Sequence, residues 1–127
     1  MSVFNYERLQ LWQKSRTLVR NIYLLTRDFP VEEKYALTDQ IRRAVISISS
    51  NIAEGSGRIS DKEKLRFLSN AYGSLTEVSC QLTLAHDIGI VNPETMQSLR
   101  IDIEEIGRMM SGYRNFIIKR NSTVTPF

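Results

Sequence analysis

The chain has 127 residues and a mass of 14.7 kDa, a length that supports one domain with a single core and excludes two. Hydrophobic residues make up 42% and charged residues 24%, which excludes a disordered chain. One cysteine and one histidine exclude an intrachain disulfide framework and any Cys/His metal cluster, and the net charge of +3 comes from residues 1–60, with 9 basic and 6 acidic side chains, while residues 61–127 balance at 8 and 8.

Period-3.6 patterning predicts four helices. The first is expected over Tyr6 to Asp28, with Asn5 as N-cap, a Phe4/Leu9 staple and an inner stripe of Leu11, Leu18, Ile22, Leu25 and Phe29; Pro30 ends it. The second should start at Val31 to Lys34 and carry Leu37, Ile41, Ala44, Val45, Ile48 and Ile52, with Gly55 and Gly57 as its stop. Ser60-Asp61-Lys62-Glu63 is a capping-box pattern that opens the third helix. Its stripe reads Leu65, Leu68, Ala71, Tyr72, Leu75, Val78 and Leu82, and Gly89 breaks it. Asn92-Pro93 opens the fourth, whose Met96, Leu99, Ile103, Ile106, Met110, Tyr113 and Ile117 keep the 3-4 spacing of a bundle seam. Four such helices with short connections predict an all-α, antiparallel up-down four-helix bundle over residues 1–120, with 121–127 as a frayed tail. There is no signal-peptide pattern and no apolar run of membrane length, so a soluble cytoplasmic protein is expected, with no membrane partner.

Several faces exceed what one core needs. Trp12, Val19 and Tyr23 form a second apolar face on the first helix, and Ile46 with Ala53 lies off the core stripe of the second. These residues read either as a wide core arc or as a helix–helix oligomer interface. Ser69, Gly73 and Cys80 make a small-residue strip on the third helix, and Cys80, mid-helix among uncharged residues, is expected to be buried. Gln40, Arg43, Ser47, Asn51 and Glu54 share a polar stripe that reads as a solvated face, a hydrogen-bonded network inside an interface, or a ligand site; Asn51 is the residue assigned to the interface.

The segment 8–27 holds five basic residues and no acid, and Arg16, Arg20 and Arg27 align within about 40° on a helix. Arg42, Arg43 and Arg58 follow. Guanidinium forks suit phosphate, so these six are the candidate nucleic-acid contacts, although a basic stripe also serves solubility. No aromatic side chains are interleaved with them in the sequence pattern of a nucleic-acid module. There is no P-loop, no dinucleotide fingerprint, no Glu-x-x-His pair and no nucleophile elbow, so neither catalysis nor a cofactor or metal is expected.

Phe29-Pro30, Gln40-Ile41-Arg42-Arg43-Ala44, Asn51-Ile52-Ala53-Glu54-Gly55 and Gly57-Arg58, followed by Arg66-Phe67-Leu68, Gly73-Ser74-Leu75 and Gln81-Leu82, resemble the 23S rRNA intervening-sequence protein family over residues 4–118. The resemblance implies an antiparallel four-helix bundle that closes into a ring-shaped homo-oligomer, with a pentamer favoured. It also implies kinship with the accessory protein of diversity-generating retroelements, a basic ring that binds nucleic acid and a reverse transcriptase, and it brings no catalytic residue. The leading expectation is therefore a non-enzymatic bundle that binds RNA or DNA, as a reverse-transcriptase accessory or otherwise. The alternative is a protein–protein scaffold with no nucleic-acid role.

Overall fold

The computed structural model describes residues 4–124, with side chains to residue 121. Four α-helices carry the chain: α1 (Gln10–Thr26), α2 (Leu37–Ser56), α3 (Asp61–Asp87) and α4 (Pro93–Val124), with no strand among the described residues. Each helix packs on its neighbour in sequence, and α1 also packs on α4, which closes the four-membered arrangement. Cross-helix contacts give the directions. Ser15 meets Ser49 while Thr26 meets Arg42, Ser47 meets Ser74 while Gly55 meets Phe67, and Asp61 meets Arg120 while Leu75 meets Gly107. Rising numbers on one helix meet falling numbers on the next, so successive helices are antiparallel, as the short connections require.

The core is the set of expected stripes folded inward. Leu18, Ile22, Ile41, Val45, Ile48, Val78, Leu82, Ile106, Met110 and Ile117 are almost wholly removed from solvent. Each such side chain contributes about 1.5–3 kcal/mol of burial energy. Small residues line both flanks of α2. Ser49 donates to Ser15 Oγ at 2.9 Å on the α1 side, and Ser74 donates to Ser47 Oγ at 2.8 Å on the α3 side. Short hydroxyls let the backbones approach and pair with one another across these seams.

Caps explain both ends of α3 and the start of α4. Ser60 accepts from the Glu63 N–H, and Asn92 Oδ1 accepts from the Thr95 N–H at 2.7 Å with Pro93 in the first turn. At the end of α3, Gly89 adopts φ +84°; its N–H reaches the His86 carbonyl and that of Ile90 the Ala85 carbonyl, a Schellman closure that needs a residue free to turn left-handed.

Several expectations are corrected. The first helix does not begin at Tyr6: Asn5–Arg8 is a separate 3-10 turn, Leu9 is extended, and α1 starts at Gln10 without a side-chain cap. The break brings the Tyr6 ring edge-on to Trp12 at 4.7 Å, whereas six residues on a continuous helix would separate them by about 240°. Val31–Glu33 is likewise a 3-10 turn, and α2 starts only at Leu37, whose N–H points at the Glu33 carboxylate. Gly55 does not stop α2. It lies buried inside the helix, where an added Cβ would stand 2.8 Å from Phe67 Cβ. Tyr72 and Cys80 are exposed, while Phe67, Gln81 and Ala85 are buried in α3 instead. α4 continues to Val124; the rest of the expected tail, 125–127, lies outside the described residues.

Candidate nucleic-acid interface

Arg16, Arg20 and Arg27 point outward from α1, all exposed, and none has an ion-pair partner among the described residues. Another basic residue of the acid-free segment does have one: Lys14 Nζ meets Glu105 of α4 at 3.1 Å. The acids of α4 thus neutralise one flank of α1 and leave the outward row free. A groove of about 480 Å³ runs along that neutralised flank, lined by Gln10, Gln13, Lys14, Asp102 and Glu105. Its rim carries both signs of charge.

The other three candidate arginines part company. Arg42 is half-buried, its guanidinium lies 4.6 Å from the Tyr23 ring centre, and its Nε donates to Thr26 Oγ1 at 2.8 Å. It fastens the start of α2 to the end of α1. Arg43, on the next face, pairs with Asp39 of its own helix at 3.1 Å. Arg58 lies at the opposite end of the bundle, 4.6 Å from the Phe67 ring centre and 3.8 Å from Glu54. One surface does not hold the six residues, contrary to what short connections suggest.

The apolar candidates do come together in part. Trp12, Val19 and Tyr23 are half-buried on the flank of α1 that faces α2, and each packs against the core. Ile46 of α2 is 43% exposed beside them. Arginines are interleaved with these aromatics: Arg16 lies over Trp12 at 5.5 Å and Arg42 over Tyr23. The sequence pattern hid this, because the pairs form across a turn and across two helices. Asn51 belongs elsewhere. It faces α3 from α2, and its amide donates to the Ser47 carbonyl and hydroxyl at 2.9 and 3.0 Å. Its donors are satisfied within its own helix, and Ser74 extends the network to α3. On the same seam Gln81 is buried and donates to Glu77, while its Oε1 has no hydrogen-bond partner among the described residues.

Basic residues outside the expected set gather where α2 turns into α3. Lys62 and Arg66 of α3 and Arg114 and Lys119 of α4 are exposed at that end, with Arg58 between the helices. Arg66 pairs with Glu63, and its guanidinium lies 4.8 Å from the Phe67 ring centre, so Phe67 has an arginine beside it from each side of the turn. Arg120 Nε donates to Asp61 Oδ2 at 3.0 Å. That hydrogen bond holds the Asp61 carboxyl below its ordinary range against the opposing effect of desolvation, and raises the Arg120 guanidinium correspondingly. Nearby, burial pushes the Tyr113 phenol up. The sequence signal for this end was available in Lys62, Lys64 and Arg66, but not the convergence with α4.

No group of three or more His, Cys, Asp or Glu among the described residues could hold a metal ion, and no helix there is long and apolar enough to cross a membrane. The family model described as 23S rRNA-intervening sequence protein matches residues 7–112. The 1.70 Å crystal structure of a protein of unknown function from the S23 ribosomal protein family of Bacteroides thetaiotaomicron is similar, with a TM-score of 0.75 and 24% identity, over 82% of this chain and 97% of that one. That likeness bears on the fold. No curated protein matches the chain.

Proposed function

The chain belongs to the 23S rRNA-intervening sequence protein family, and from that premise we propose that it acts without catalysis, as a homo-oligomeric bundle that binds RNA phosphates through its basic surface. The observation that carries this reading is the outward row of α1. Arg16, Arg20 and Arg27 are exposed and unpaired among the described residues, whereas Arg43, Arg58 and Arg66 are each held by an acid one helical turn away. Guanidinium groups with no carboxylate in contact keep their donors available to phosphate oxygens.

The test is affinity for an RNA hairpin as a function of salt. Each phosphate neutralised on a duplex adds about 0.9 to the slope of log K against log salt. Arg16→Gln/Arg20→Gln is therefore expected to lower the slope by about 2 with little dependence on sequence. Wild-type protein that binds neither RNA nor DNA at low salt refutes the reading. A second reading, a scaffold that binds another protein, is favoured by Trp12, Val19, Tyr23 and Ile46 on the α1–α2 flank; it predicts partner binding that is insensitive to salt.

A further inference from the structure

Folding redistributes the charge along the bundle axis. The half built from residues 4–18, 47–74 and 108–121 carries eleven Lys and Arg against four Asp and Glu, a net of +7; the half built from 19–46 and 75–107 carries six against ten, a net of −4. Arg20 and Arg27 lie in the acidic half, so their field is offset along the axis. At the tip of the basic half the α2–α3 turn, the start of α3 and the last turns of α4 converge, joined by Arg120 and Asp61.

We infer that this tip is a second RNA contact, one that takes an unpaired strand. Three exposed cations there, Lys62, Arg114 and Lys119, have no ion-pair partner among the described residues. On α4, one turn before Lys119 and Arg120 and on the side away from Arg114, the Phe116 ring is 59% exposed, with Arg120 5.4 Å from its centre, and Ile59 in the turn is fully exposed. Free cations on the same end of the bundle as an exposed aromatic ring give a single strand phosphate contacts and a face on which to stack a base. A duplex keeps its bases stacked inside and gives the ring nothing to hold. The inference rests on the RNA-binding reading and names a surface for it.

The experiment is fluorescence anisotropy of dye-labelled oligouridylate against salt, with wild type, Lys62→Gln/Arg114→Gln/Lys119→Gln, Arg20→Gln/Arg27→Gln and Phe116→Ala. All the substituted side chains are exposed, and circular dichroism verifies that each variant folds. The triple variant is expected to lower the slope by about 2, at about 0.7 per single-strand contact. Phe116→Ala is expected to weaken oligouridylate about tenfold while leaving a blunt-ended RNA duplex unchanged. Wild type that binds RNA, with slope and affinity unchanged in both tip variants, overturns the inference and leaves the α1 row standing. Wild type that binds no RNA removes both. Sedimentation with phosphatidylglycerol vesicles in place of RNA binding likewise overturns it, in favour of a lipid surface.

Discussion

Gly55 and Gly73 are both helical glycines, yet their surroundings give opposite expectations. At Gly55 the space where a Cβ would go is occupied by Phe67 Cβ, 2.8 Å away, and neither atom sits at the end of a flexible side chain. The helices must part, at about 1–3 kcal/mol for overpacking, and the better helix propensity of alanine returns about 1 kcal/mol. Gly55→Ala is therefore expected to destabilise the fold by up to about 2 kcal/mol in urea unfolding. Gly73, in the middle of α3, has nothing within 4 Å, so Gly73→Ala should gain about 0.5–1 kcal/mol. Ile48 sets the other extreme. It is fully buried at the centre of α2, and Ile48→Asp places an unpaired carboxylate there at a cost of several kcal/mol. That is most of the stability of a domain this size, so its far-ultraviolet dichroism should collapse at neutral pH.

At the scale of elements, the inner stripes could be read in advance because burial alone imposes the 3.6 period. The stripe of α4 shows this best, with Met96 through Ile117 buried apart from half-buried Tyr113. Two starts could not be read. The extended Leu9 is set by the docking of Tyr6 on Trp12 and of the Asn5–Arg8 turn on α2, and the delay of α2 to Leu37 by the separate turn at Val31–Glu33. Packing of the first turn on α2 decides one point and a separate short turn the other, and helix periodicity records neither. The Asp61–Arg120 pair, 59 residues apart, fixes the last turns of α4 to the start of α3. Its pH dependence follows from the depressed Asp61 carboxyl. Such a group stabilises the fold above its unfolded value of about 4 and loses that contribution as the pH falls through its lower folded value. Asp61→Asn should therefore melt below wild type at pH 7 and together with it near pH 2, measured as the difference in Tm.

The charge of the whole molecule was legible in amount but not in place. Cut by sequence at residue 60 the chain divides into +3 and zero; cut across the folded bundle it divides into +7 and −4, because antiparallel helices bring Arg58, Lys62 and the last turns of α4 to one end. The same folding sets Trp12, Val19 and Tyr23 beside Ile46 on one flank, a patch half covered by its own chain. Half-burial is what makes a self-association test decisive. Val19 and Ile46 retain access to water in the single chain, so a carboxylate at either position can stay solvated and the bundle should fold. In an interface the same carboxylates would be desolvated in every subunit, without a partner. Val19→Glu/Ile46→Glu is expected to keep the helicity of wild type while its light-scattering mass falls to 14.7 kDa from a multiple of that value. Wild type that already scatters at 14.7 kDa, or a double variant that keeps the oligomer mass, shows that copies of the chain do not meet on the α1–α2 flank. In the assembled case the outward row of Arg16, Arg20 and Arg27 stands beside the contact, about 60° further round α1, so each subunit would add its row to a shared basic rim.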